Sequence, residues 1–398
     1  MKPRLLILLN RLSIGGPASN TLALASALSN RYEILLVAGN PLPEEASAAY
    51  LLDQYQGFRH QLLPEIKRAV SPLQDLLTYR KIKKIIREFN PSIVHTHGSK
   101  PGILGRWAAS RSKVPLIVHT YHGHVFRAYF SSFISKCIVQ LERFLAQRTD
   151  LIVAINEYLQ QELIQKYKIA DFNKIKLNRL GVDASIYEDA DGRGRKQFRT
   201  FYQLDEQTIA IAIVGRLVKI KQHTLFLEVA FRLLEQRIPD KRFCFFIVGD
   251  GDEYELLAGK VKHSAYRYLL KGEEPSGPAD FIFTSWRKDI QVVMAGIDIL
   301  LMTSLNEGTP VAILEALAAG KPVVSTPAGG IPELLEAAGS GYICSDKEAM
   351  THTILELIAS PEILKQQAEK GRSYILNHLS IRRQADQLVE LFRAKEGA

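Results

Sequence analysis

Short apolar runs, each bounded by a turn and each followed by a helical pattern, recur along the whole chain and restrict it to a layered α/β fold. In the first half the runs are Leu5–Leu9, Ile34–Ala38, Ile93–Thr96, Leu116–Thr120 and Leu151–Ala154. A second series opens at Ile209–Val214 and continues through Phe245–Val248, Phe281–Thr284, Ile297–Met302 and Pro322–Thr326. Alternation of this kind makes parallel pairing with helices packed on the sheet the natural outcome. A chain of 398 residues is too long for one ordinary core and fits two domains of roughly 180 residues. Periodicity lapses in Asn178–Tyr187 (NRLGVDASIY), and the basic, glycine-containing stretch Asp189–Arg199 reads as a linker or loose loop. The expected division is a first domain over residues 1–180, a linker over 181–205 and a second domain over 206–375.

The second domain holds the most informative stretch, Thr303–Leu335 (TSLNEGTPVAILEALAAGKPVVSTPAGGIPELL). After the turn Asn306-Glu307-Gly308, the pair Thr309-Pro310 predicts a helix N-cap followed by proline at the first helical position. The alanine-rich helix Val311–Ala319 is stopped by Gly320. A second turn, Pro327-Ala328-Gly329-Gly330, leads into a helix with Pro332 early and Glu333 in its first turn. Two helix N-termini then point free N–H groups at one spot, which suits a phosphate or diphosphate. Glu307 and Glu315 flank the first of them, and an ionised carboxylate accepts two or more sugar O–H donors. As a bare pattern these residues also describe a plain strand-to-helix turn with two solvated glutamates. Phosphate donors and hydroxyl acceptors together describe a nucleotide-sugar pocket.

The spacing Glu-x7-Glu, with Gly-Thr-Pro after Glu307 and Ala-Gly-Lys-Pro-Val-Val after Glu315, resembles the donor signature of family 4 glycosyltransferases. The resemblance implies an α/β fold of two Rossmann-like domains facing a central cleft (GT-B), with residues 376–398 as a helix crossing back onto the first domain. Gly215-Arg216-Leu217 and Lys221 are similar to the family's Gly-Arg-Leu…Lys pair; as bare sequence they read as surface charges after a strand. The family has glycine after this lysine, where Gln222-His223 stand here. Asn178 to Asp183 is similar to the family's Asn-Gly-Val-Asp crossover, with Arg179-Leu180 interposed.

Site roles follow from the same resemblance. Glu307 would hold sugar hydroxyls, Gly308, Thr309 and Pro310 would lie near sugar and phosphate, and Glu315 would hold the ribose. Arg216 and Lys221 would neutralise the departing diphosphate, and Arg287, after the strand Phe281–Thr284, would border the base. Gly15-Gly16, directly after the first strand, marks where a doubly wound sheet lets a ligand approach backbone, or a simple tight turn; the family reading makes it part of the cleft wall. The implied activity is retaining, metal-independent transfer of a hexose or N-acetylhexosamine from a nucleotide sugar, UDP-linked by analogy, to a lipid-linked or surface-glycan acceptor. The donor is a co-substrate and no cofactor is implied. Same-face attack assisted by the leaving phosphate is the family's route, and no second carboxylate is assignable for double displacement. A sugar-nucleotide epimerase of related architecture is an alternative.

Five of the ten histidines, His95, His97, His119, His122 and His124, cluster around two strand ends. His95-Thr96-His97 resembles the metal pair of a barrel-type metal-dependent hydrolase, with His122 nearby. That chemistry also needs a histidine and an aspartate at later strand ends, and His60, His223, His263, His352 and His378 do not sit at such ends. The alternative follows from HTHGSKPGILGRWAA and VPLIVHTYHGHVF, which are similar to the first domain of bacterial family 4 enzymes that extend lipid-linked or surface polysaccharides. It implies a histidine near the anomeric centre: His122, or its neighbours His119 and His124. Asp250-x-Asp252 after Phe245–Val248 reads as a tight turn in preference to a metal–nucleotide clamp.

Net charge is +9, from 51 basic and 42 acidic residues, so an anionic partner is implied. Neither a Cys/His finger nor an aromatic ribonucleoprotein strand is present, which argues against nucleic acid. In Tyr79–Phe89 (YRKIKKIIREF) Ile82, Ile85, Ile86 and Phe89 share one helical face and basic residues take the other. This is either a surface helix packed on a sheet or a peripheral dock for anionic lipid. Three scattered cysteines (Cys137, Cys244, Cys344) form no disulfide framework or metal motif, and the apolar start Leu5–Leu9 is too short for a signal core. No run reaches the roughly 18 apolar residues of a membrane span. The expected location is cytoplasmic, peripheral on the inner face of the plasma membrane if the basic helix binds lipid.

Overall fold

The computed structural model describes residues 2–42, 45–66, 71–123, 132–236 and 238–396. The chain forms two compact units, Met1–Gly181 together with Ile381–Ala398, and Val182–Ser380. In the first, strands β1 (Arg4–Arg11), β2 (Glu33–Gly39), β3 (Arg59–Leu62), β4 (Ile93–His97), β5 (Leu116–Tyr121), β6 (Leu151–Ala154) and β7 (Ile175–Leu177) pair in the order β3-β2-β1-β4-β5-β6-β7. In the second, β8 (Thr208–Val214), β9 (Arg242–Val248), β10 (Tyr268–Leu269), β11 (Phe281–Ser285), β12 (Ile299–Met302), β13 (Val323–Ser325) and β14 (Tyr342–Ile343) pair as β10-β11-β9-β8-β12-β13-β14. Both sheets are parallel among the described residues. The central turn-back of the strand order falls at β1/β4 in the first sheet and at β8/β12 in the second, whose edge strand β10 also lies out of sequence. Ligands of doubly wound sheets bind outside the carboxyl ends of strands at such a point.

β1 shows why the first sheet is covered on both faces. Leu5, Ile7 and Leu9 join one apolar cluster, and Leu6 and Leu8 join another. The final helix, Ile381–Glu396, belongs to the first cluster through Ala385, Leu388, Val389 and Phe392. Phe392 meets Tyr32 and His95 edge-on, at 6.1 and 6.0 Å. The helix Pro361–His378 runs through position 376, so the chain returns to the first unit at Ile381 and not where the family pattern suggests. Helix Pro72–Phe89 buries Ile82, Ile85, Ile86 and Phe89 while Arg80, Lys81, Lys83, Lys84 and Arg87 face out.

The loose loop expected over Asp189–Arg199 is corrected by a helix, Arg193–Phe201. Its composition is basic, but tertiary contacts override propensity. Phe198 is fully buried 4.8 Å from the Phe246 ring and presses on Gly296, where a Cβ would stand 2.1 Å from its ring. Arg199 is buried too, donating to Asp205 O and Thr208 O and pairing with Asp298. β3, β7, β10 and β14 are also absent from the sequence pattern. They are short edge strands, and all four residues of β3 are exposed, so no apolar run marks them.

Candidate active site

At the turn-back point of the second unit, the segments leaving β8 and β12 lie side by side because the two strands pair. The β8 exit is Gly215-Arg216-Leu217, followed by a short turn over Lys219–Lys221; the β12 exit is Thr303 to Pro310. They are joined by Leu305 N–H to Ile220 O (2.8 Å) and by Thr303 Oγ1, which donates to the carbonyls of Lys221 and Gln222 at 3.0 Å each. Within this frame Lys221 Nζ meets Glu307 Oε1 at 2.5 Å, and Ser304 Oγ donates to the same oxygen at 2.6 Å. Both charged side chains are largely buried, at 20% and 11% exposure, so solvent screens the pair weakly. Among the described residues Glu307 Oε2 has no protein partner. One oxygen is therefore fixed and the other is open to an O–H donor.

The turn before the helix Ile331–Ala338 braces this site. Gly329 has φ +55°, and a Cβ there would stand 1.8 Å from Glu307 O, so only glycine allows the approach. Gly330 N–H donates to Gly308 O at 3.2 Å. The two turns do meet, but the second contributes support: its Gly330 N–H is taken by protein and is not a free phosphate donor. The first helix spans Val311–Ala318 with Pro310 as its N-cap residue and no side-chain cap. Thr309 is thus not the cap, and proline precedes the helix instead of opening it, because Pro310 holds an extended ψ of 116°.

Arg216 is exposed and forms no ion pair among the described residues. The opposing wall is set by Gly249, where a Cβ would stand 2.0 Å from Gly215 O, and by Asp250 O, which accepts from Leu217 N–H. Asp250 itself accepts from Gly251 N–H, Ser285 Oγ and Lys271 Nζ, the arrangement of a tight turn. Gln222 occupies the left-handed region (φ 48°, ψ 47°) as the N-cap of the helix His223–Glu235, the backbone conformation that glycine supplies most cheaply.

Glu315, one turn into the helix, accepts the Tyr187 hydroxyl at 2.8 Å. Burial pushes its carboxyl up to about 7, with the Tyr187 hydrogen bond opposing. Arg287 makes a two-pronged pair with Asp289 and donates to Tyr202 OH at 3.2 Å. Its charge is thus engaged by Asp289. Sequence reasoning missed Ser304 and Tyr187: a serine after a strand has no distinguishing pattern, and Tyr187 lies where periodicity lapses.

In the first unit, Gly15 precedes the helix Gly16–Leu28, with open space beside it; a Cβ there would meet nothing within 4 Å. At the ends of the neighbouring strands β4 and β5, His97 Nδ1 and His122 Nε2 are hydrogen-bonded at 2.8 Å. His95 bonds Thr120 Oγ1 (2.7 Å) and its ring lies 4.1 Å from that of His97, tilted by 42°, and His119 bonds Thr96 Oγ1 (2.8 Å). Burial pushes His95 down to about 3 and His122 down to about 4, and takes His97 and His119 well below the ordinary range. The cluster is neutral. Among the described residues no three His, Cys, Asp or Glu side chains are placed to hold a metal ion, which counts against the hydrolase reading: the His97–His122 bond occupies nitrogens that a metal pair would turn outward. His124 lies outside the described residues.

Residues 14–186 match the family model "Glycosyltransferase Family 4", and residues 208–360 match "Glycosyl transferases group 1". The chain belongs to the family 4 glycosyltransferases. The transferase is 28% identical over 346 residues to the UDP-Gal:alpha-D-GlcNAc-diphosphoundecaprenol alpha-1,3-galactosyltransferase of Escherichia coli, covering 86% of this chain and 85% of that protein. It is 25% identical over 338 residues to the putative glycosyltransferase EpsD of Bacillus subtilis, covering 83% of each. Its structure resembles Anabaena HepE in complex with UDP-glucose, with TM-score 0.78, 19% identity and coverage of 98% and 99%. The two Rossmann-like sheets are those of the GT-B fold.

Proposed function

We propose that the transferase moves a hexose or N-acetylhexosamine from a UDP-linked donor to a lipid-linked sugar acceptor with retention of configuration. The observation that carries this is the Lys221–Glu307 pair, which leaves one carboxylate oxygen open at the end of β12, next to the β8 exit that carries Arg216, exposed and without an ion pair among the described residues. Glu307 Oε2 accepts donor-sugar hydroxyls, Gly308, Thr309 and Pro310 line sugar and phosphate, Glu315 accepts ribose hydroxyls, and Arg287 borders the base. The acceptor is taken by the first unit, with Gly15 and Gly16 lining its approach and His122 as the catalytic residue of that unit. The acceptor oxygen attacks the anomeric carbon on the face the diphosphate leaves. The C–O bond to phosphate breaks, and the hydroxyl proton passes to the departing phosphate oxygen. Arg216 and Lys221 stabilise the charge that develops there, a preorganised contribution realised in the transition state. The E. coli relative, named for UDP-Gal and a diphosphoundecaprenol acceptor, supports the substrate classes.

The test is a panel of nucleotide sugars incubated with a polyprenyl-diphosphate sugar, with and without excess EDTA, and the anomeric coupling of the product read by NMR. An α-linked product from an α-donor, formed in EDTA, is expected. A β-linked product overturns retention, and loss of activity in EDTA with a stoichiometric metal in the purified protein overturns metal independence. Conversion of the donor without acceptor identifies an epimerase.

The acceptor class also calls for access to lipid, and we place the transferase at the inner face of the plasma membrane. Among the described residues no helix is long and apolar enough to cross a membrane. Helix Pro72–Phe89 exposes Leu73, Leu76 and Leu77 in line with Arg80, Lys83, Lys84 and Arg87, an apolar stripe running into a basic one. That pairing supports docking on anionic lipid.

A further inference from the structure

We infer that His97 is a positioning residue that fixes the tautomer of His122, so that His122 offers Nδ1–H, a hydrogen-bond donor and not a base, to the acceptor sugar bound by the first unit. The donor role rests on the proposed function; the tautomer does not.

The argument is one of proton accounting. His97 closes β4, His122 follows β5, and these strands pair with His97 opposite Thr120. The register brings His97 Nδ1 within 2.8 Å of His122 Nε2. Both rings are neutral, since burial disfavours the imidazolium at each. Each therefore carries one proton, and exactly one proton lies between them. If His122 Nε2 donated it, the remaining proton of His97 would sit on Nε2, which is buried with no acceptor. If His97 Nδ1 donates it, His97 Nε2 holds only a lone pair there. Orphaned buried N–H groups are rarer in folded proteins than undersatisfied acceptors, so the second arrangement is selected. The Thr120 hydroxyl and the His95 ring hold the neighbouring space, the His95 and His97 ring centroids being 4.1 Å apart. His122 Nε2 is then an acceptor, and its proton resides on Nδ1. That nitrogen has no protein partner among the described residues, and His122 is half-buried, so a ligand can reach it.

A tautomer set from behind by a second group is a general device for imidazole. Here its consequence is specific: a neutral Nδ1–H polarises or orients a sugar oxygen and cannot remove a proton from the acceptor hydroxyl. That agrees with a route in which the departing phosphate takes the proton.

Long-range ¹H–¹⁵N spectra of the substrate-free protein, with His122 assigned by its loss in H122Q, read the tautomer directly. Protonated Nδ1 and bare Nε2 are expected in the wild type and in H97N, whose amide N–H stands near the original Nδ1. In H97F the bare His122 Nε2 loses its hydrogen-bond donor, and its ¹⁵N shift should move to that of an imidazole nitrogen without a hydrogen bond. Wild-type protein with the proton on His122 Nε2 overturns the inference whether or not H97F folds. For the donor role, H122N places an amide N–H near Nδ1 and H122Q places one near Nε2. H122N should retain turnover at least about tenfold above H122Q, the scale of one preorganised donor, and equal turnover overturns the donor role. A wild-type protein inactive with every nucleotide sugar defeats the functional reading and leaves the spectroscopic result standing.

Discussion

Arg216 and Lys221 differ in what their loss exposes. Arg216 is exposed and unpaired among the described residues, so if it neutralises the leaving group as proposed, Arg216→Ala should lower kcat by about 10²–10³ with little change in stability. Lys221→Ala should lower kcat comparably and also raise KM for the donor, because Glu307 loses the cation that fixes its Oε1. Steady-state kinetics with near wild-type values in both variants would remove them from the site. Glu315 provides a pH signature. Its folded pKa of about 7 lies above its ordinary 4.5, so the folded state binds this proton more tightly than the unfolded chain. Its contribution to stability is full below about 4.5 and is lost as pH rises through about 7. Ligand binding runs the other way, since the ribose hydroxyls need an ionised acceptor. UDP affinity, measured by calorimetry, should fall as pH drops through about 7, and Glu315→Gln should bind weakly with that dependence gone.

Elements show how local conformation and burial divide the work. Gln222 sits in a left-handed conformation at the start of the helix His223–Glu235, at a cost of roughly 1–2 kcal/mol for a residue with a Cβ. Gln222→Gly should raise stability by up to about 1 kcal/mol after the extra entropy of glycine in the unfolded chain is counted, and a fall in the denaturant midpoint would contradict this. The departure from the family's glycine was legible in the sequence; that the loop keeps the glycine-like geometry anyway was not. The helix Arg193–Phe201 is the opposite case. Its glycines and arginines look like a linker, and only the packing of Phe198 against Gly296 and Phe246 makes it a helix. Phe198→Ala should cost about 3–5 kcal/mol, as for other large aromatics removed from a core, read as a lowered midpoint of the second unit. The basic helix Pro72–Phe89 belongs to both cases: its buried face followed from the period of Ile82, Ile85, Ile86 and Phe89, while the exposed Leu73, Leu76 and Leu77 had gone unread. Vesicle binding should require anionic lipid, fade with salt, and weaken in a Leu73→Ser, Leu77→Ser variant. Binding indifferent to all three would exclude the helix as the dock.

At the scale of the molecule, the return of Ile381–Glu396 to the first unit is secured by a buried polar cluster. Asn20 Nδ2 donates to Gly181 O and to Gln384 Oε1, which also accepts from Gly181 N–H. The group sits where the chain leaves the unit and where it comes back, so it ties the first helix, the exit and the last helix at one point. None of this has a sequence pattern, because a lone Asn and a lone Gln separated by most of the chain carry no period. What the sequence determined alone was set by short-range physics: apolar runs alternating with helical periods dictate parallel sheets, and the strand-to-helix turns have local signatures, on which the family resemblance singled out Glu307, Glu315, Arg216 and Lys221. What only the tertiary structure decided depends on contacts between distant segments. The pairing of β8 with β12 sets Lys221 on Glu307, and the pairing of β4 with β5 sets His97 on His122. Strand order is a property of the assembled sheet, and no residue read in isolation contains it.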